Sequence, residues 1–330
     1  MGPVRPEEHD DPVAAVLAAH HAGVGLSLPT SGTTGPPRRV LRSTQSWWGS
    51  FEAYGELSEV TAGARLWLPG PLTSTMVLFA AVHAAVVDAV QVVDPAEATH
   101  ACLTPAQLTL RGGQLSPGTH VVVAGAHLSD IQRAQAVDHG LSLSHYYGAA
   151  ELSFVAAGRT SGELRPFSGV EVDVRDTPHE GTIWVRSPWV CTGYEGSPGA
   201  LRRDGHWATV GDLGRWQAGT LEVFGRPGAV TTAGATVSVA EVEAYLRPGA
   251  GGPFAVHGVP HPTLGEVLAV TFVDPADRAR LEIAARALPA THRPRLWRRA
   301  DRLPLTPAGK VDRARMATGV TPVDPAGGPW

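Results

Sequence analysis

Lysine is almost missing from this chain. Of 27 Lys and Arg in 330 residues, 26 are arginine and one, Lys310, is lysine. In a chain rich in Ala, Gly, Pro and Arg, that asymmetry points to a coding bias that turns lysine into arginine wherever a solvated positive charge suffices. Lys310 then either marks a place for a compact ammonium that can reach between oxygens, where a broad planar guanidinium would not serve, or is a chance survivor on the surface. Cysteine is nearly as scarce. Cys102 and Cys191 lie far apart without metal-ligand spacing, which excludes a disulfide framework and a zinc site and fits a reducing, cytoplasmic setting. The formal net charge of -4 is small and the arginines are scattered, so nothing suggests a nucleic-acid partner. Residues 1–12 are polar and acidic, lacking the basic start and apolar stretch of a secretory signal. The longest apolar run, residues 76–93, contains His83, Asp88 and Gln91 and ends at Asp94-Pro95. A buried helix followed by a strand is expected there, with no membrane span.

What is present divides in two. A helix over 14–21 and a strand over 24–28 precede a loop. Strand-like runs at 65–68, 90–93, 120–123 and 142–147 then alternate with helical ones at 74–87 and 130–139, the pattern of a parallel α/β sheet. After about Gly169 the rhythm changes to short strands at 170–174, 182–186 and 220–224, separated by turn residues. From Gly225, a helix over 239–246, strands at 254–258 and 267–272 and a helix over 275–287 predict a small α+β domain. The expected fold class is therefore α/β. A large N-terminal domain spans 1–224, α/β to about 169 and β-rich over 170–224, and a small C-terminal domain spans 225–330.

The loop at 29–37 reads Pro-Thr-Ser-Gly-Thr-Thr-Gly-Pro-Pro. Gly32 and Gly35 let the backbone wrap an anion, and the hydroxyls of Thr30, Ser31, Thr33 and Thr34 can donate to phosphate oxygens. It is not a lysine-bearing P-loop, because no lysine follows Gly35 and the chain runs into strand-like Val40-Leu41. Taken alone, it is either a phosphate cradle or a flexible Ser/Thr/Gly linker.

Four further segments stand in order behind it. They are Tyr147-Gly148-Ala149-Ala150-Glu151; Gly211-Asp212-Leu213; Gly225-Arg226 with Ala240-Glu241-Val242-Glu243; and residues 303–313, Leu-Pro-Leu-Thr-Pro-Ala-Gly-Lys-Val-Asp-Arg. Together with Ser31 to Arg38, they resemble five motifs of the adenylate-forming superfamily of acyl-CoA synthetases, peptide-synthetase adenylation domains and luciferases. The resemblance implies an AMP-forming acid–thiol ligase. A carboxylate attacks ATP to give an acyl-adenylate and pyrophosphate, and a thiol, most often coenzyme A, then displaces AMP. It implies that the Ser31–Gly35 loop and Arg38 hold phosphates and that Glu151 holds Mg²⁺. Tyr147 would offer an aromatic face to adenine, with Gly148, Ala149 and Ala150 beside it and Gly125, Ala126 and His127 along the base. Asp212 would take the ribose hydroxyls, helped by Arg226. Lys310, on a small domain that swings about the hinge, would bridge the attacking carboxylate and the α-phosphate. Read without the resemblance, Asp212 is a turn-capping aspartate beside Gly211, and Tyr147 is a core aromatic.

The match departs from the family in places. Arg38 stands for the loop's lysine, Ala150 for a threonine, and Val210 for the threonine before Gly211; Pro227-Gly228-Ala229 lack the hinge aspartate. The phosphate loop begins by Thr30, so much of an N-terminal subdomain is expected to be absent, leaving a flank that a homodimer would bury. Compact relatives resemble the o-succinylbenzoate–CoA ligases of menaquinone synthesis and small acyl-CoA synthetases. The resemblance implies an acyl pocket lined partly by residues 69–76, although Thr73 or Ser74 reads first as a cap for the next helix, with pocket lining second. Histidine is common there in the family and none stands here, a departure from the typical aromatic-acid or o-succinylbenzoate pocket. The expected substrate is a small or medium hydrophobic or aromatic acid. A carrier-protein thiol or an amine as acceptor stays open, and so does a non-catalytic nucleotide-binding paralogue.

Overall fold

A computed structural model of the chain describes residues 2–30, 38–126, 128–158, 162–176, 180–196, 199–226, 228–304 and 311–319. The chain falls into two compact units that divide at residues 227 and 228.

In the first unit, a seven-stranded sheet runs in the order Val90–Val92, Arg65–Trp67, His100–Leu103, His120–Val123, Ser142–Ala149, Ser153–Gly158, Arg165–Pro166. The first five strands are mutually parallel. Their central members are covered on both faces, so His120–Val123 reads as a continuous buried run with no alternation. The apolar stretch 76–93 resolves as expected: helix Thr75–Val86 is buried from Val77 to Ala84, and after a left-handed turn at Asp88 the chain enters strand Val90–Val92. Among the described residues, no helix is long and apolar enough to cross a membrane.

The parallel pattern does not persist. Ser142–Ala149 continues two residues past its expected end and turns back on itself as an antiparallel hairpin with Ser153–Gly158. A register shift sits between Tyr147 and Gly148, and Ser153 takes φ 64°. Gly148 is required here, because a Cβ would run into the Ser153 carbonyl. This hairpin tip carries Glu151.

The β-rich part is a six-stranded antiparallel sheet including Glu180–Arg186, Leu213–Gln217 and Thr220–Gly225. A three-stranded sheet of Leu26–Pro29, Arg39–Arg42 and Gly193–Glu195 packs into the same core. Trp47, Tyr54, Phe79 and Phe154 form a buried aromatic cluster at its centre. Burying rings of this size supplies much of the unit's apolar stabilisation.

The second unit is a five-stranded sheet of Ala235–Ser238, Ala229–Thr232, Gly265–Phe272, Phe254–His261 and Leu296–Arg299, with helices Val239–Leu246 and Asp277–Ala285 closing its core. Asp277, fully buried, accepts from the backbone N–H groups of Gly251 (2.7 Å) and Gly252 (2.9 Å). The last helix, Arg313–Gly319, is tied down by Arg313, which donates to Glu243 Oε1 at 2.8 Å and to the Val256 carbonyl at 3.1 Å.

Candidate functional site

The strand Ser142–Ala149 and its hairpin place two of the expected site residues four positions apart, Tyr147 on the strand and Glu151 at the tip. The Tyr147 hydroxyl donates to Asp212 Oδ2 at 2.9 Å, and Arg226 Nε donates to Asp212 Oδ1 at 3.0 Å. Asp212 is 8% exposed. It does not cap the turn at Gly211: its side chain is turned to Tyr147 and Arg226, while its backbone carbonyl accepts from Ile183 N–H at 2.9 Å. Burial, reinforced by the Asp212 carboxylate, pushes the Tyr147 phenol well above its ordinary range, so it stays a donor. Each carboxylate oxygen of Asp212 keeps acceptor capacity beyond the bond it makes.

Glu151 is held from three sides. Its carbonyl accepts from Cys191 N–H at 2.8 Å, and its Oε1 accepts from the Tyr194 hydroxyl at 2.7 Å. The preceding carbonyl, of Ala150, accepts from the Arg42 guanidinium at 2.7 Å. The other Glu151 oxygen accepts no hydrogen bond among the described residues. Arg42 is 2% exposed; burial lowers it to about 10, opposed by the nearby Cys191 and Glu151, so it remains charged at neutral pH. Among the described residues no group of three or more His, Cys, Asp or Glu is gathered for a metal. A single carboxylate with one free oxygen suits a hard cation that arrives already coordinated by phosphate oxygens.

Of the remaining expected residues, Thr30 and Arg38 bracket the loop at 31–37, and the Thr30 N–H and hydroxyl both meet the Arg38 carbonyl, at 2.8 and 3.1 Å. Gly125 and Ala126 follow strand His120–Val123 in a bend, with Gly125 at φ 87°. Ser31, Gly32, Thr33, Thr34, Gly35, His127 and Lys310 lie outside the described residues. On either side of the Lys310 segment, Asp312 N–H donates to the Pro304 carbonyl at 2.9 Å.

The expected capping role of Thr73 or Ser74 is corrected. Ser74 occupies the N-cap position of helix Thr75–Val86, yet its side chain makes no capping hydrogen bond. The Ser74 N–H closes a turn onto the Pro71 carbonyl, and the Thr75 hydroxyl donates to the Pro29 carbonyl at 3.2 Å. Arg42 and Tyr194 are not singled out by the sequence. Arg42 has a signal, since two residues after apolar Val40 on strand Arg39–Arg42 it shares the buried face of Val40 and so points inward. Tyr194, 43 positions from Glu151, has none.

No protein-family model matches the chain. It is 28% identical over 346 aligned positions to an uncharacterised acyl–CoA ligase of Bacillus subtilis, covering 93% of this chain and 70% of that one. Among solved structures it resembles the amide bond synthetase McbA of Marinactinospora thermotolerans, with TM-score 0.75 and 26% identity over 89% of this chain and 68% of that one. It also resembles an o-succinylbenzoate CoA synthetase of Bacillus subtilis, with TM-score 0.76 over 89% of this chain and 69% of that one. At 20% identity, that second likeness is one of fold.

Proposed function

We propose that this chain, which belongs to the adenylate-forming superfamily, is an AMP-forming acid–CoA ligase whose nucleotide site is built on the Tyr147–Glu151 hairpin. The observation that carries the reading is the hydrogen-bonded set Tyr147, Asp212 and Arg226, joined through one hairpin to the Glu151 turn.

The chemistry has two halves. An oxygen of the substrate carboxylate bonds to the α-phosphorus of ATP as the bond to pyrophosphate breaks. The sulfur of coenzyme A then bonds to the acyl carbon as the bond to AMP breaks. In this account the Tyr147 ring lies along adenine, Asp212 accepts the ribose hydroxyls with the oxygens that Tyr147 and Arg226 hold in place, and Gly125 and Ala126 border the base. The loop from Thr30 to Gly35, with Arg38, takes the phosphates. Glu151 would hold Mg²⁺ by the oxygen that Tyr194 leaves free. When bound, that ion offsets charge on the phosphates. Lys310 supplies an ammonium between the attacking carboxylate and the α-phosphate, where a compact donor stabilises developing charge. The acid is small to medium, hydrophobic or aromatic, and Thr73 and Ser74 stand at the edge of its pocket. A cytoplasmic setting, where ATP and coenzyme A are available, fits this chemistry.

The test is AMP release from ATP that depends on both an acid and coenzyme A, run over a panel of aliphatic, aromatic and o-succinylbenzoate-like acids. AMP release requiring both supports the ligase. The likeness to an amide bond synthetase favours one second reading, an amine as acceptor. AMP release with an acid and an amine but not with coenzyme A would establish that reading and refute the first.

A further inference from the structure

Glu151 cannot choose its own orientation: a carboxylate at a hairpin tip has several rotamers of similar energy, and only outside contacts select one. Among the described residues, the side chain that hydrogen-bonds Glu151 is Tyr194, on strand Gly193–Glu195. Its hydroxyl donates to Glu151 Oε1 at 2.7 Å and accepts from Leu201 N–H at 3.1 Å. Since the Leu201 N–H can only donate, the hydroxyl meets it with a lone pair, and its one proton is committed to the carboxylate. The ring in turn is lodged against Gly199, where any Cβ would collide with it. Segment 199–201 therefore sets the ring, the ring sets the hydroxyl, and the hydroxyl fixes which Glu151 oxygen is left open.

We infer that Tyr194 is a positioning residue for Glu151, tying one carboxylate oxygen to the Gly199–Leu201 segment so that the other is the one offered to nucleotide-bound magnesium. This rests on the reading of Glu151 as the magnesium-holding carboxylate. Groups that orient a metal-binding carboxylate from behind characteristically matter almost as much as the ligand: their loss costs about 10- to 100-fold in metal affinity or activity. Tyr194→Phe keeps the ring and deletes only the hydroxyl. Gly199→Ala keeps the hydroxyl and displaces the ring.

The experiment titrates ATP calorimetrically into wild type and both variants of the full chain, with and without Mg²⁺, alongside melting temperatures and the Mg²⁺ dependence of acid-dependent AMP release. ATP affinity without Mg²⁺ is expected to stay within about twofold of wild type in Tyr194→Phe. The gain in affinity that Mg²⁺ confers is expected to shrink roughly tenfold in that variant, with a change of the same sign in Gly199→Ala and a matching rise in the Mg²⁺ needed for half-maximal rate. If Tyr194→Phe keeps the wild-type Mg²⁺ gain and half-saturation, the assignment is overturned, and any drop in melting temperature reports packing alone. If wild type itself binds ATP yet gains nothing from Mg²⁺, the underlying reading of Glu151 fails, and the assignment falls with it.

Discussion

Replacing Asp212 by alanine removes the acceptor shared by Tyr147 and Arg226, and the structure sets how large the effect should be. The half-buried Tyr147 hydroxyl would be left without its partner, a cost of about 1–2 kcal/mol. Arg226, with a side chain 28% exposed, is solvated on release and adds at most about 1 kcal/mol. The sum, up to about 3 kcal/mol, corresponds to a fall of up to about 9 °C in melting temperature for a unit of this size. Tyr147→Phe deletes the donor and should cost about 1 kcal/mol, since the carboxylate keeps Arg226 and access to water. With both changes the orphaned hydroxyl no longer exists. The double variant should therefore be more stable than the sum of the two single losses by about 1–2 kcal/mol. Urea denaturation of the four proteins, followed by tryptophan fluorescence, measures that coupling. A coupling under about 0.5 kcal/mol, or an Asp212→Ala protein as stable as wild type, would refute the reasoning.

Other outcomes follow from the same structure. Arg42→Met should destabilise by about 2–3 kcal/mol in urea denaturation, because it leaves the Ala150 carbonyl without its donor and Glu151 without a nearby positive charge; Arg42→Lys should recover part of that loss. His257 is held down to about 4 by burial, with smaller contributions from Arg298 and Arg313 and opposition from the Gly258 carbonyl. The folded state therefore binds fewer protons than the unfolded one between about pH 4 and the ordinary histidine value of about 6.5. Stability from this group is complete above about pH 6.5 and falls by up to about 3 kcal/mol as pH drops toward 4. Urea midpoints at pH 7 and pH 4.5 should thus separate more in wild type than in His257→Gln. Asp277→Ala strands the Gly251 and Gly252 N–H groups inside the second unit and should cost about 3 kcal/mol in the same assay.

Elements with strong local signals are legible in the amino-acid sequence. Strand His120–Val123 and helix Val239–Leu246 fall where apolar runs and a Ser N-cap place them, and helix Asp130–Asp138 opens on the Ser129–Gln132 capping box. The apolar stretch 76–93 divides into helix and strand because Asp88 can take the left-handed turn between them. The return strand Ser153–Gly158 is not legible in this way, because its cue is a steric contact between Gly148 and the Ser153 carbonyl that no spacing rule contains. The site divides likewise. Tyr147, Glu151, Asp212 and Arg226 stand out through motifs, whereas the bonds joining Tyr147 to Asp212, Arg42 to Ala150 and Tyr194 to Glu151 span 65, 108 and 43 positions and arise only from the fold. Thr73 and Ser74 show the opposite error. Residue type suggests a cap, but Ser74 at the N-cap position makes no side-chain capping bond, and the Ser74 N–H bonds to the Pro71 carbonyl.

The most direct measurement of the central claim is carboxylate-dependent ATP–pyrophosphate exchange in wild type, Lys310→Ala and Lys310→Arg. Exchange isolates the first half-reaction from the choice of acceptor, and the two variants separate the need for charge from the need for an ammonium. Wild type is expected to catalyse exchange with one class of acid, and both variants to lose at least about a hundredfold of that rate. ATP binding without exchange over a broad acid panel would contradict that claim and assign the chain to a non-catalytic nucleotide-binding role.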